Sequence, residues 1–167
     1  FNAETKEETN EPDTKKEEDE ITKPQEKSLE EQYKEYIEEH GKPNILFATS
    51  KYYKDGIILF NQKKYDEAKF KFEQDIVNNP KSELSYLYLS KIFNKKKNNN
   101  LEEQNLNTVM LLNPKNEEAV YNLAKLKLLS SDYKKSIELN KKLKFICINF
   151  CDQSEKLKIE IENLSKK

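Results

Sequence analysis

The stretch Y-D-E-A-K-F-K-F-E-Q-D-I-V-N-N-P, residues 65–80, decides the fold of this 167-residue chain. Its apolar side chains recur at spacings of three and four residues, at Tyr65, Ala68, Phe72 and Ile76. That spacing places them on one face of an α-helix. Pro80 has no backbone N–H and disfavours helical geometry in the residue before it, so the helix has to end there.

The same pattern returns with a period of 34 residues. Pro80 is followed 34 residues later by Pro114, and Tyr65 is matched by Tyr133 two periods on. The first half of each unit carries a small residue at the matching position, namely Gly56, Ser90 and Ala124. A period of this length with two helices in it indicates helical hairpins stacked side by side.

Residues 49–150 resemble the tetratricopeptide repeat (TPR) family, most closely in the unit 49–82. The resemblance rests on bulky Tyr52, small Gly56 and the spacing of the helix 65–78. It implies an all-α fold, an α-solenoid of stacked antiparallel helical hairpins with about three repeats and a C-terminal capping helix. We expect three parts in the folded region 28–167, a leading helix at 28–41, three hairpins at 43–151 and the capping helix at 152–166.

The N-terminal segment differs from the rest in composition. Residues 1–40 contain 15 acidic residues and 6 lysines, whereas the remainder contains 16 acidic residues and 24 lysines. Residues 1–27 are rich in Glu, Lys and Thr and have too few apolar side chains to offset the entropy of ordering them. We therefore predict a disordered acidic tether at 1–27, followed by a helix that the capping box of Ser28 and Glu31 starts.

The third repeat departs most from the pattern. Asn140 stands where Phe72 stands in the first repeat, and the apolar run 145–148 predicts a long and well buried second helix. On such a helix Cys147 and Cys151 would be buried thiols, since that placement suits a disulfide poorly. The pair Asp152 and Glu155 resembles a capping box and predicts the start of the last helix.

Catalysis and cofactor binding find no support in the sequence. The chain has one histidine and two glycines, which leaves no Gly-rich phosphate loop and no nucleophile–histidine set. Two cysteines without a nearby histidine do not make a zinc site. The lysine clusters 95–97 and 141–144 read as solubilising surface rather than as a nucleic-acid site. We predict no enzymatic activity, no cofactor, no metal and no nucleic-acid partner.

What remains is the concave face that the first helices of successive repeats line in this family. The resemblance implies a groove for a partner protein or peptide, and the prediction is a non-catalytic interaction module or scaffold. The predicted groove residues are Tyr53, Ile57, Phe60, Leu84, Leu87, Tyr88, Lys91, Tyr121, Asn122 and Lys125. Their lysines favour partners with acidic or polar flanks. The carboxylate clamp of chaperone-adaptor members is not expected, because the chain has no arginine.

Four further expectations stay open at this level. The acidic segment 30–39 lies across the groove in cis, in which case deleting residues 1–40 raises the affinity for a partner. The alternative function is a membrane-tethered bacterial envelope component, similar to a lipoprotein, with a structural role. The tether-like composition of residues 1–27 gives a weak preference for an exported location over a cytoplasmic one, and we expect a monomer or a weak dimer.

Overall fold

The computed structural model describes residues 27–40 and 50–164, and these ranges contain helices and no strand. The helices are α1 (Leu29–His40), α2 (Lys51–Asn61), α3 (Tyr65–Asn78), α4 (Glu83–Lys95), α5 (Asn99–Leu112), α6 (Glu117–Leu129), α7 (Tyr133–Ile146) and α8 (Cys151–Leu164). Consecutive helices pack on one another, most extensively within the hairpins α2–α3, α4–α5 and α6–α7. The predicted all-α solenoid is confirmed, while the predicted tether lies outside the described residues except for Lys27.

The period of the sequence is also the period of the backbone. The second helices α3, α5 and α7 begin 34 residues apart and have 14 residues each. The turn inside every hairpin has a left-handed residue at the same place, with φ of 61° at Lys63, 56° at Lys97 and 62° at Ser131. The residue after each one donates its N–H to a carbonyl five positions back, which closes the first helix with a Schellman-type cap.

The polar turn 95–100 does not shift the helix that follows it. The side chain of Asn98 accepts a hydrogen bond from the Leu101 N–H at 3.2 Å and caps α5. The helix therefore begins at Asn99, the position equivalent to Tyr65 and Tyr133. A side-chain cap of the same kind starts α7, where Asp132 accepts from the Lys135 N–H at 3.1 Å.

Helix α1 is anchored to the stack by its apolar face. Ser28 and Glu31 form the predicted capping box, with the Ser28 N–H donating to Glu31 at 2.9 Å and the Glu31 N–H donating to the Ser28 hydroxyl at 3.3 Å. Tyr33 is buried in the same apolar cluster as Tyr53 and Ile57 of α2. Because α2 is a first helix, α1 lies against the inner face of the first repeat.

The structure corrects the prediction for the end of the third repeat. Helix α7 ends at Ile146, α8 begins at Cys151, and Cys147 and Cys151 form a disulfide across the turn, with their Cα atoms 5.3 Å apart. The prediction of buried thiols was therefore wrong. Phe145 and Ile148, predicted to be buried, are exposed. The reason is the break in the helix: once the chain turns after Ile146, the two cysteines approach across a loop.

Polar contacts hold α8 against α7 at Asn140, where the other repeats have an apolar residue. The Asn140 amide donates to the Ser154 carbonyl at 3.0 Å and accepts from the Ser154 hydroxyl at 3.0 Å. The Glu117 carboxylate accepts backbone N–H bonds from Asn149 at 2.9 Å and Phe150 at 2.8 Å and fixes the turn before α8. Asp152 lies inside α8, so the capping box predicted for Asp152 and Glu155 was also wrong.

Candidate functional site

A cavity of about 520 Å³ opens between the first helices of the repeats. Its lining comes mainly from α4 and α6, with one side chain from α2 and one from α5. The lining residues are Phe60, Ser90, Lys91, Asn94, Lys95, Glu102, Glu118, Asn122, Lys125, Leu126 and Leu129. We call this cavity the inner pocket. Its size is that of a site for a few side chains of a partner.

The ten predicted groove residues fall into three groups. Phe60, Lys91, Asn122 and Lys125 line the inner pocket. Tyr53, Ile57 and Leu87 are buried in the core. Leu84, Tyr88 and Tyr121 are half-buried and packed against the core clusters. The structure thus brings four of the ten together around one opening, and the role of the whole set as partner contacts stays a prediction.

Helix α1 accounts for the closed part of the inner face. Tyr53 and Ile57 share a buried cluster with Tyr33, and the Tyr88 side chain is hydrogen-bonded to the side chain of Tyr36. Burial above all, and the hydrogen bond with Tyr36, raise the pKa of Tyr88 above its ordinary value, so its hydroxyl is neutral. At the first repeat, α1 therefore covers Tyr53 and Ile57 on the inner face.

Ring contacts continue the aromatic cluster from α1 to the pocket. Tyr88 stacks on Phe72 with ring centroids 5.0 Å apart and meets Phe60 edge-on at 5.2 Å. Phe60 in turn lies on the wall of the inner pocket. Aromatic side chains anchored in this way lose little conformational freedom on binding, which suits them to be contact residues.

The charges of the pocket are mostly paired. Lys91 forms an ion pair with Glu118 at 2.8 Å, and Lys125 pairs with Glu160 of α8 at 3.3 Å. Lys95 is exposed and has no ion pair with any residue in the described part of the chain. Since a paired charge offers less to a ligand than a free one, Lys95 is the cation of the pocket that remains available.

Glu102 is a buried carboxylate in the pocket wall. It is only 3% exposed, and both of its carboxylate oxygens accept from the Asn94 amide, at 3.0 and 3.2 Å. Burial raises the pKa of Glu102, and the Asn94 hydrogen bond opposes this rise in part. The equivalent positions in the other repeats hold Ala68 and Ser136, which are fully buried without any charge.

We expect Glu102→Gln to stabilise the protein at neutral pH, by less than about 1 kcal/mol because solvent in the pocket screens the charge. The pKa of Glu102 is higher in the folded protein than in the unfolded chain. The contribution of Glu102 to the free energy of unfolding is therefore fully present below the unfolded pKa, and it is lost as the pH rises through the folded pKa. Urea unfolding between pH 4 and pH 7 measures this, with pH values taken around the ordinary glutamate range.

The matched control for that measurement is Glu103→Gln, which neutralises the neighbouring carboxylate that pairs with Lys127 at 2.6 Å. It is expected to leave stability at neutral pH unchanged or slightly lower. Equal gains in stability from both variants would contradict the assignment, because the gain would then come from the net charge of the chain and not from burial of Glu102.

Sequence reasoning missed seven lining residues, Ser90, Asn94, Lys95, Glu102, Glu118, Leu126 and Leu129. A usable signal was present for four of them. Asn94 and Lys95 lie three and four residues after Lys91, and Leu126 and Leu129 follow Asn122 and Lys125 by four. Residues at these spacings share a helix face, so extending the predicted set by one turn would have found them.

Neither a metal site nor a membrane-spanning helix is found in the described part of the chain. Within 27–40 and 50–164, no group of three or more His, Cys, Asp or Glu side chains is arranged to hold a metal ion. Among the helices described, none combines the length and the apolar character that crossing a membrane requires.

The sequence matches no family model and no curated protein. Solved structures do match in fold. The first TPR domain of Spaghetti (RPAP3), bound to the HSP90 peptide SRMEEVD, superposes with a TM-score of 0.63 at 16% identity, over 70% of this chain and 91% of that one. The Sgt2 TPR domain from Aspergillus fumigatus gives 0.60 at 16% identity, over 70% and 81%.

A third similar structure is the Yersinia enterocolitica type III secretion chaperone SycD in complex with a peptide of the translocator YopD. It superposes with a TM-score of 0.62 at 15% identity, over 70% of this chain and 92% of the chaperone. At 15–16% identity, these similarities show the fold alone. The chain therefore has the TPR fold, and two of these three neighbours were solved with a bound peptide.

Proposed function

We propose that this chain is a non-catalytic interaction module that binds a segment of a partner protein in the inner pocket, over α4 and α6. The observation that carries the proposal is the pocket itself, a cavity of about 520 Å³ on the inner face of a TPR fold. Two neighbours of the same fold hold peptides, the HSP90 peptide in one case and a YopD peptide in the other.

The position of α1 limits where the segment binds. Tyr33 and Tyr36 of α1 occupy the inner face beside Tyr53 and Tyr88. The prediction that the segment 30–39 competes with a partner now concerns the first repeat alone, because the inner pocket is open while α1 is in place. A partner segment long enough to reach α2 would have to displace α1, whereas a short one would not.

The chemistry of the lining indicates the character of the segment. Phe60 and Leu129 offer apolar contact, and Leu129 is 72% exposed. Lys95 offers a free cation on the same rim. An apolar side chain with an acidic residue close to it satisfies both features. Apolar burial supplies most of the affinity, and the charge supplies orientation and association rate.

The pocket differs from a carboxylate clamp in its electrostatics. Of the three lysines in its lining, Lys91 and Lys125 are already paired with glutamates. A chain-terminal carboxylate would therefore have to compete with Glu118 and Glu160 for them. An internal segment that places one acidic side chain at Lys95 fits the available charge better than a free C-terminus does.

The test is selection of peptides from a random displayed library on the full chain, followed by fluorescence anisotropy of the strongest binder. Leu129→Ser removes an exposed apolar contact of the pocket, and Lys95→Ala removes its free cation. We expect each to weaken binding by about tenfold, the size of one good contact. The matched control is Ile159→Ser on α8, an apolar residue of comparable exposure outside the pocket.

Binding that all three substitutions leave unchanged would place the ligand elsewhere on the molecule and overturn the proposal. An equal loss with Ile159→Ser would do the same, because the effect would then come from general surface apolarity. Loss with Leu129→Ser and Lys95→Ala alone supports the pocket. Far-UV circular dichroism of each variant shows that the helices are intact.

The alternative of an envelope component stays a prediction. One observation favours it, the Cys147–Cys151 disulfide, because disulfides persist in oxidising compartments such as the bacterial periplasm and the cell surface. Thiol alkylation of the protein in its native cell, before lysis, separates the cases: resistance to alkylation indicates an oxidising compartment, and modification of both cysteines indicates a reducing one.

A further inference from the structure

Three large apolar side chains are exposed at equivalent positions of the repeats. Val77 is 81% exposed, Leu111 is 81% exposed and Phe145 is 90% exposed. Each is the thirteenth residue of its helix, α3, α5 or α7, so the three are spaced by the 34-residue period. Since equivalent helices of a solenoid stack side by side, these residues form one row, which we call the outer stripe.

The outer stripe lies on the second helices and so on a different face from the inner pocket, which the first helices line. Single exposed apolar residues are common on protein surfaces and need no explanation. An aligned set is different, because exposed apolar side chains that share one face can be covered together by another molecule. The recurrence of an apolar residue at one position of all three second helices is such a set.

A second row, one helical turn before the stripe, carries a gradient of charge. Its members are Glu73 on α3, Asn107 on α5 and Lys141 on α7, again 34 residues apart. Lys141 is exposed and has no ion pair within the described ranges. Among the described residues, Glu73 pairs with Lys69 of its own helix alone, at 2.9 Å, and a surface pair of this kind is weak and readily exchanged.

This order of charges pairs with itself when a second copy is placed in the reverse order. If a two-fold axis lies in the contact plane and runs parallel to α5, α7 of the second copy lies opposite α3 of the first copy. Glu73 then faces Lys141 of the second copy, and the reverse contact forms as well. In the stripe, Leu111 meets Leu111, and small Val77 meets large Phe145. Both rows therefore match under a single symmetry operation, as an isologous interface requires.

We propose that the outer stripe is a self-association surface whose occupant is a second copy of this chain, related by a two-fold axis parallel to α5. Three side chains from each copy bury far less than the ~800 Å² per partner of a standard interface, so the dimer is weak and depends on concentration. The inner pocket of each copy faces away from the contact, and the pair presents two pockets at once. Such a pair binds a two-site partner more tightly than one copy does.

Sedimentation velocity of the full chain over a concentration series tests the surface. We expect a concentration-dependent dimer for the wild type and loss of it with Leu111→Glu, which puts a charge at the two-fold axis. The control is Ile159→Glu, an exposed apolar residue off the stripe, which should leave the dimer intact. A wild type that stays monomeric up to millimolar concentration overturns the proposal, and so does a dimer that survives Leu111→Glu.

Charge reversal tests the orientation. Glu73→Lys and Lys141→Glu each place like charges opposite one another twice per dimer, so each variant alone should self-associate about fivefold more weakly. A mixture of the two variants restores both pairs, and mixed dimers should form with at least wild-type affinity. If the mixture associates no better than its components, the copies do not meet in this orientation and the proposal fails.

Discussion

Replacing Asp75 with alanine is expected to lower the free energy of unfolding by about 3 kcal/mol. Asp75 is 1% exposed and accepts hydrogen bonds from the hydroxyls of Ser50, Ser82 and Ser85. Ser50 caps α2 through its hydroxyl and Ser82 is the residue before α4, so this carboxylate ties α3 to the starts of both first helices. Alanine would leave the fully buried Ser85 hydroxyl without its charged acceptor.

The next repeat supplies a matched rescue. One period after Asp75 and Ser85 the chain has Val109 and Ala119, both fully buried. The double variant Asp75→Val/Ser85→Ala copies that apolar pair, and replacing both partners of a polar contact by apolar groups costs little. We expect it to regain most of the loss and to lie within about 1 kcal/mol of the wild type.

Chemical denaturation followed by circular dichroism measures both variants. Asp66→Ala is the control on the same helix, because Asp66 is an exposed carboxylate whose pairing with Lys96 contributes little to stability. A loss no larger for Asp75→Ala than for Asp66→Ala would contradict the prediction. A double variant as unstable as Asp75→Ala would show that the apolar pair Val109 and Ala119 of the next repeat does not fit at the position of Asp75 and Ser85.

The second large effect is expected at Gly56. A Cβ atom built on Gly56 would lie 2.7–2.9 Å from three atoms of the Phe72 ring, which is closer than van der Waals contact allows. Tyr88 stacks on the same ring at 5.0 Å and limits how far it can move. Gly56→Ala should therefore destabilise the protein by about 2 kcal/mol, even though alanine improves helix propensity by ~1 kcal/mol.

The three repeats show the same trade of size. Gly56 accompanies Phe72 in the first repeat, Ser90 accompanies Leu106 in the second, and Ala124 accompanies Asn140 in the third. In the repeats where the second helix has Leu106 or Asn140 in place of phenylalanine, the first helix has a residue larger than glycine at the facing position. In a Phe72→Leu background, Gly56→Ala should consequently cost nothing or stabilise the fold, so the two substitutions are not additive.

A double-mutant cycle from urea unfolding curves measures the coupling between these two positions. The expected coupling favours the double variant by about 2 kcal/mol, because the contact that Gly56→Ala creates is removed by Phe72→Leu. Additive free energies would show that the ring of Phe72 accommodates the extra methyl group by moving, and the close approach would then have no energetic weight.

Sequence alone predicted the fold because the information it needs is local and repeated. The spacing in residues 65–78, the proline at 80 and the 34-residue period each follow from backbone geometry or the shape of one turn. Because the pattern occurs three times, the fold can be predicted even though the second and third repeats match the pattern less well than the first. Glu102 stands at a small-residue position, yet α5 keeps the bounds of its neighbours because Asn98 caps it.

The tertiary structure decided which inner-face side chains remain open. The helical period shows that Tyr53 and Phe60 lie on related faces, but it does not show what lies above each one. Helix α1 covers the cluster at Tyr53, whereas Phe60 borders the inner pocket. Burial depends on neighbours distant in sequence, and the chain has no local signal that reports them.

The end of the third repeat shows the same limit. An apolar run at 145–148 predicts burial only if a neighbour covers it, and α8 leaves Phe145 and Ile148 exposed. The chain instead turns after Ile146, the Cys147–Cys151 disulfide closes the turn, and Asn140 binds Ser154 of α8. Local sequence thus determined where helices form. Packing between distant helices determined which of their side chains are buried and which surfaces remain exposed.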